Sequence, residues 1–421
     1  MSNAFPHCFW KNKVMDYTVI VVGAGVVGLS SAISLVKMGY DTCLIDKGLP
    51  GADTSYGNAG IIANYAVMPL ITPSLRKNLV PMVLDKNSPL SIRSSYALKL
   101  SKFGKYFLRA TRQREWESSG YSMGSMMKDA WNCWENLLDD AGCASLVKSS
   151  GVVVAFDKPG TFQDFMKIEA QYKKAFNIPY SILSGNEVKE NVIGLRSHYS
   201  GGVFYPDARF STDPYELSKK LFDHYLSIGG RFQKSEIETV RTIEGGQAVT
   251  AKGGEFCAKH VVLATGTFTG YLLKKMGIDL PIVSERGYHA IVDEPIEISR
   301  PVGLANHGVF ATPMNGGIRI AGLSEFASHN APVNNDRITQ LDRIAKRHLG
   351  AGVREPWVGA RSTTPDGVPY VGGLRHHPGL WVNTGHGHLG LTLAAVTAKT
   401  LTDEIKSGFN MLNPLSPHRH L

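Results

Sequence analysis

The sequence predicts an α/β protein of two domains, on three observations. Residues 16–46 read as strand, glycine turn, helix, strand. A second buried strand, residues 259–266 (KHVVLATG), returns about two hundred residues downstream. The chain has 421 residues, 43% of them hydrophobic, more than one simple core holds.

The first strand is the β-branched run Val19-Ile20-Val21-Val22, apolar enough to be buried on both faces. Gly23, Gly25 and Gly28 follow at G-x-G-x-x-G spacing. Gly23 permits a tight turn, Gly25 lets backbone approach a pyrophosphate, and Gly28 lets the helix pack closely on the strand. Val26 and Val27 open the helix, whose free N–H groups and positive dipole end face the phosphates. The helix is expected to run from Val26 to Lys37 and to stop at Gly39. Asp46 ends the second strand, where a carboxylate accepts from a ribose diol and repels a 2′-phosphate, which favours FAD or NAD over NADP. Residues 47–62 (KGLPGADTSYGNAGII) form a loop of small residues over the cofactor. Lys47, Thr54, Ser55, Asn58, Ala59, Gly60 and Ile61 are its candidate contacts, through backbone N–H groups.

Residues 89–116 are basic and partly helical. Leu100, Phe103, Phe107 and Ala110 share one face, while Lys99, Lys102, Lys105, Arg109, Arg112 and Arg114 supply charge. A narrow apolar stripe favours a face turned to the core over one laid on anionic lipid. A helix over 121–145, a strand over 151–156 and a helix over 160–176 follow. Thr212 or Asp213 then caps a helix running to Ile228. The strand of residues 259–266 ends in Ala264-Thr265-Gly266, where an FAD domain passes the pyrophosphate again; a simple NAD domain needs no such return. Residues 281–292 (PIVSERGYHAIV) enter the second domain as an edge strand. Strand alternation prevents Tyr288 and His289 from facing one pocket together without a bulge. Tyr288 is taken as the pocket residue and His289 as a hydrogen-bonded sheet histidine. Residues 310–323 form a hairpin turning at Asn315-Gly316, with Arg319 structural.

Two C-terminal stretches carry most of the chemistry: residues 358–373 (VGARSTTPDGVPYVGG) and 380–393 (LWVNTGHGHLGLTL). The Arg361 guanidinium can grip a carboxylate with two parallel bonds, which a lysine cannot do; a structural salt bridge is the alternative. Glycines at 385, 387 and 390 let backbone lie against a flat ring. The helix starting near Leu389 points its positive end there.

These motifs together (G-x-G-x-x-G, the acid-ended strand, T-S-x-x-N-A-G-x-I, G-x-R with T-P-D-G-x-P, N-T-G-H-G-x-L-G-x-T) resemble the FAD-dependent D-amino-acid dehydrogenases, small-subunit type, of the D-amino-acid oxidase and glycine oxidase superfamily. The resemblance spans nearly the whole chain beyond Met15. It implies a D-amino-acid-oxidase-like fold: a discontinuous Rossmann-type FAD domain (15–85, 195–275, 355–421) and an α+β substrate domain with a mixed antiparallel sheet (86–194, 276–354). It implies oxidative deamination of a small D-amino acid by hydride transfer to FAD, with a quinone or other respiratory acceptor. Alternatives are a D-proline or D-hydroxyproline dehydrogenase, an O2-using oxidase of glycine, sarcosine or D-amino acids, and the flavin subunit of a hetero-oligomer. Arg361 binds the substrate carboxylate, with Tyr288 and His289 beside it. Ile237 touches adenine through backbone, and Ala264, Thr265, Gly266, Arg361, Gly387, His388, Leu389, Gly390 and Thr392 complete the FAD contacts. No cysteine lies beyond Cys257, so the thioether that holds the flavin in some sarcosine-oxidising relatives has no donor there, and the FAD is expected to be non-covalent.

Composition narrows the setting. A net charge of +9 suits an anionic cofactor, acidic substrates or an anionic membrane surface, and no nucleic-acid module is present. Five scattered cysteines without a CxxC pair predict a reducing compartment with no disulfide frame and no zinc site; His386 and His388 have no metal-ligand partners in sequence. No run reaches the length of a membrane span. Residues 1–14 have no sustained apolar region of a signal peptide and are read as an extension outside the fold. The expected location is cytoplasmic, with peripheral contact at the inner membrane face as the variant reading.

Overall fold

The computed structural model describes residues 15–85, 87–293 and 296–421; the sequence reading of residues 1–14 lies outside them. The β-branched run forms a strand, Tyr17–Val22, buried along its C-terminal four residues. It sits between two parallel neighbours, Thr42–Asp46 and Gly254–Leu263. These strands belong to an eight-stranded sheet in which Gly254–Leu263 serves two partners on its other edge. Its first half pairs antiparallel with Gly246–Ala251, and its last residues pair parallel with Leu380–Thr384. The C-terminal motif is thereby brought beside the first glycine turn.

The helix Val26–Lys37 starts and stops where the sequence places it. Gly23 adopts φ +104°, and a Cβ there would lie 2.5 Å from the Ala264 carbonyl oxygen. A Cβ on Gly28 would lie 1.7 Å from the Gly23 carbonyl oxygen. Helix and turn are therefore in backbone contact, which only glycine allows at both positions. The helices Gln113–Asp140 and Gly390–Ser407 cover the same face of the sheet, tied by a buried bond from Trp134 Nε1 to the Leu391 carbonyl at 2.7 Å. Asp213 caps the helix Pro214–Ser227 through its carboxylate, as expected.

The second sheet has nine strands. One end of it is the antiparallel trio Val353–Thr363, Val283–Val292 and Gly317–Phe326; Val353–Thr363 is the edge, so Val283–Val292 pairs on both sides and is not the edge strand the sequence suggests. Helix Asn335–Leu349 packs on one face through Leu341, Ile344, Ala345 and Leu349. The hairpin turns at Asn315-Gly316, with Met314 opposite Gly317. Strand membership differs from the segmentation read in sequence: Gly201–Tyr205 and Val353–Thr363 lie in this sheet rather than in the first. Both pair by backbone with strands of the second domain, and pairing overrides position along the chain. The stretch over 160–176 is two helices, Pro159–Ile168 and Ala170–Ala175. In the basic segment, Phe103 and Ala110 are buried and Phe103 packs on Phe326, so the stripe faces inward.

The two glycines separate folding from binding. Gly28→Ala forces backbone apart and is expected to lower stability by about 1–3 kcal/mol, read as the midpoint of chemical denaturation. Gly25→Ala meets only the Ser55 hydroxyl, at 3.2 Å, and is expected to keep the fold while FAD binding weakens at least tenfold, read by flavin titration.

Candidate active site

The first glycine turn is closed by side chains from elsewhere. Asp46 accepts from the N–H groups of Ala24 (2.7 Å) and Gly48 (2.8 Å). Ser55 Oγ accepts from Val26 N at 2.9 Å, an end-cap that Gly25 itself cannot provide. Ser235 N donates to the Asp46 carbonyl, which brings the chain leading to Ile237 to the Asp46 end of the sheet. Ala264 N bonds to the Val22 carbonyl, and Thr384 Oγ1 to that of Gly266. Lys47 lies over the Phe268 ring, 4.3 Å from its centroid.

Loop 54–60 is held from beneath by the second sheet. His289 Nδ1 donates to the Gly57 carbonyl at 3.0 Å. Arg319 Nη1 donates to the carbonyls of Tyr56 (2.8 Å) and Asn58 (3.0 Å), and Thr312 Oγ1 to that of Ala59 (2.8 Å). Thr54 Oγ1 donates to the Ala360 carbonyl, beside Arg361. Asn58 folds the loop upon itself, donating to the Ser55 carbonyl and accepting from Gly60 N. Thr392 Oγ1 accepts from Ala63 N, so the C-terminal helix fixes the end of the loop beyond Ile61.

Arg361 lies flat across Gly287, where a built Cβ would be 2.3 Å from Nη2. Its Nη1 donates to Glu285 Oε1 and to the Leu323 carbonyl, both at 3.2 Å. That carbonyl is aimed by a bulge in Gly317–Phe326 where Leu323 takes φ +55°, a left-handed conformation costly for a leucine. Nε and Nη2 have no hydrogen-bond partner among the described residues. Burial alone would raise the Glu285 carboxyl; the Arg361 guanidinium and the Ser324 and Thr363 hydroxyls hold it below the usual range. His388 presents its ring to open space, yet protein surrounds it closely enough to push the imidazole down to about 4, against the pull of Glu285. His388 thus stands open beside the Glu285–Arg361 pair.

Tyr288 is placed differently from the sequence reading. It lies on the other face of its strand, 2% exposed, and its hydroxyl donates to Glu325 Oε2 at 2.6 Å. Glu325 also holds Arg286 (3.1 Å) and Arg93 (2.8 Å), a buried network between sheet and helix. The bulge falls on the neighbouring strand, so alternation is kept: Glu285, Gly287 and His289 face the loop, and Arg286 and Tyr288 face the helix. His289 is the loop anchor, stacked on Trp357 at 4.9 Å. Sequence reasoning missed Glu285, although a carboxylate two residues from Gly287 in an apolar strand signalled it. It also missed Arg419, whose Nε bonds Asp366 at 2.7 Å and seals the T-P-D-G turn.

The residues fit FAD. Gly25 has φ −69°, open to any residue, and a Cβ there would meet only the Ser55 hydroxyl, at 3.2 Å, so its lack of a side chain leaves room for a group laid against the turn. Gly266 has nothing within 4 Å of a built Cβ, and Gly387 only Thr363 Oγ1, at 3.8 Å. The helix Gly390–Ser407 follows directly on the turn Gly387–Leu389 and has no side-chain cap, so its positive dipole end stands at the glycine-rich loop.

Burial holds several imidazoles neutral: His386 down to about 3, and His289 to about 4 with Arg319 adding to the effect. A depressed folded-state value gives stability that is whole above the unfolded value near 6.5 and declines as pH falls toward the folded one. Between pH 7 and pH 5, His386 alone is expected to cost about 2 kcal/mol. Thermal melts across that range should show a steady fall, and His386→Gln a shallower one.

Residues 18–404 match the family model described as FAD dependent oxidoreductase. The chain is 30% identical over 412 residues to a D-amino-acid oxidase of Bradyrhizobium diazoefficiens, covering 95% of this chain and 97% of that one. It is 28% identical to a D-amino acid dehydrogenase of Rhodopseudomonas palustris, over 92% and 94% of the two chains. Its fold is like that of glycine oxidase from Geobacillus kaustophilus (TM-score 0.73, 21% identity, 96% and 99% covered). It is also like L-proline dehydrogenase from P. horikoshii (TM-score 0.72, 17% identity, 96% and 98% covered). With the glycine cradle, the acid-ended strand and the Arg361 cavity joined in one fold, this chain belongs to the FAD dependent oxidoreductase family.

Proposed function

We propose that the protein oxidises the Cα–N bond of a small D-amino acid, giving an imine that hydrolyses to a 2-oxo acid and ammonia. The supporting observation is the unspent edge of Arg361. Nη1 is engaged by Glu285 and Leu323, while Nε and Nη2 remain as a fork for a carboxylate. Bound FAD supplies the hydride acceptor. Arg361 fixes the carboxylate and so the direction of Cα–H, and positioning of this kind supplies much of the rate. Glu285 is the counterion of Arg361: its depressed pKa makes it a poor base, and its charge offsets the guanidinium. His388 is neutral at pH 7 and can take a hydrogen bond without repelling a substrate amine. Lysine at 361 would keep the charge and lose the fork. Arg361→Lys is therefore expected to raise KM for the amino acid about 10–100-fold in a dye-coupled assay; an unchanged KM would remove Arg361 from this role.

Electrons then pass to a quinone or another acceptor. Among the described residues, no helix is long and apolar enough to cross a membrane. The helix Leu75–Leu84 nonetheless exposes Val80 and Leu84 (76%) on the element that carries Arg76, and the turn Leu98–Leu100 exposes Leu98 (90%) beside Lys99. This favours peripheral docking on an anionic bilayer, where a lipid-soluble acceptor resides. Flotation with anionic vesicles should carry the protein up, and Leu84→Ser with Leu98→Ser should leave it at the bottom. Equal flotation of both would place the contact elsewhere.

A further inference from the structure

Away from the cavity, three elements of the second domain meet at one point. The strand Val152–Phe156 delivers Asp157, the turn Ala305–His307 delivers His307, and the end of helix Asn335–Leu349 delivers His348. The side chains of Asp157 and His348 are 3% and 0% exposed, and that of His307 is 19% exposed. Their ligand atoms converge: His307 Nε2 is 2.9 Å from Asp157 Oδ2 and 3.1 Å from His348 Nε2, and His348 Nε2 is 3.9 Å from Asp157 Oδ2.

We propose that Asp157, His307 and His348 bind a divalent first-row metal ion of the zinc type, with water as a further ligand. Four observations support this. Zinc–nitrogen bonds of about 2.0–2.1 Å in a tetrahedron set ligand atoms about 3.3 Å apart, and the three observed edges bracket that value. Two imidazoles and one carboxylate are a donor set suited to zinc. His348 Nδ1 lies 2.9 Å from the Tyr199 hydroxyl; an N–H donated there leaves Nε2 with its lone pair toward the cluster. Asp157 Oδ1 is buried with no hydrogen-bond partner among the described residues, so half of this carboxylate is unused there. Without an ion, Oδ2 also meets Arg347 Nη2 at 3.3 Å; that side chain is 61% exposed and free to swing into water. The ion would pin the end of the helix to the sheet whose opposite face carries Glu285 and His289, a structural role outside the redox chemistry. Sequence spacing hides the site, because the ligands lie 150 and 41 residues apart.

The test uses the flavin-loaded full chain. After equilibration with Zn²⁺ and extensive dialysis, metal analysis is expected to find one equivalent per chain. Co²⁺ should give the visible bands of a tetrahedral site at wavelengths beyond the flavin absorption. His307→Gln and Asp157→Asn should abolish both while retaining flavin. Tyr199→Phe should weaken zinc binding about tenfold. His376→Gln with His377→Gln, on a distant surface groove, should change neither. Wild-type protein that retains no metal and gives only the spectrum of hydrated Co²⁺ overturns the proposal, whatever the variants do. So does an equivalent of zinc that survives in both His307→Gln and Asp157→Asn.

Discussion

Four carbonyl groups of one loop join the two halves of this protein. Loop 54–60 follows the nucleotide-binding βαβ unit, yet His289, Arg319 and Thr312 of the other sheet hold the carbonyls of Tyr56, Gly57, Asn58 and Ala59. A loop of small residues has little apolar surface of its own, so its shape depends on these bonds. They turn its carbonyls toward the second sheet, while the N–H groups of Tyr56 and Gly60 are taken within the loop by the Asp53 carbonyl and Asn58 Oδ1. Trp357 needs the glycines at 57 and 359 to fit beneath; a Cβ on either would come within about 2 Å of the ring. The bonds that support the cofactor loop are therefore made by the sheet that also carries Glu285 and Arg361.

Charge in that cavity is arranged in pairs. Arg361 is an expensive group to bury alone, and Glu285 offsets it without consuming the guanidinium edge that remains open. The second bond to Arg361 comes from a strained bulge at Leu323. A strained backbone beside an unspent guanidinium is the kind of place where a fold gives up stability for function. On the far face of the same strand, Arg286, Glu325, Arg93 and Tyr288 satisfy one another, so that network holds the sheet to its helix and leaves the cavity to Arg361.

The nucleotide-binding half was largely legible because its constraints are local. Gly23, Gly25, Gly28 and Asp46 lie within one βαβ unit: Gly23 and Gly28 answer backbone contacts, Asp46 holds the N–H groups of Ala24 and Gly48, and Gly25 keeps the turn open to a bound group. The hairpin at Asn315-Gly316 was legible for the same reason. Sites assembled across long distances were not. Alternation warned that Tyr288 and His289 face opposite ways, but which of them faces the cavity depends on the helix packed behind the sheet, and no local pattern reveals that. Glu285 acquires meaning only when Arg361 arrives from a strand 76 residues later. Arg419 reaches Asp366 from the far end of the chain, across 53 residues. Val353–Thr363 lies in the second sheet because a strand belongs to the sheet that completes its hydrogen bonds.

The central claim is that Arg361 and its cavity present the Cα–H of a D-amino acid to bound FAD. The most direct test is the anaerobic half-reaction of wild-type holoprotein, mixing D-alanine and then L-alanine with the enzyme and following the flavin bands. Bleaching by the D-enantiomer, with the L-enantiomer inert and one 2-oxo acid formed per flavin, is the predicted result. A flavin that neither enantiomer nor any other small D-amino acid bleaches, or one reduced by the L-enantiomer alone, would contradict the account.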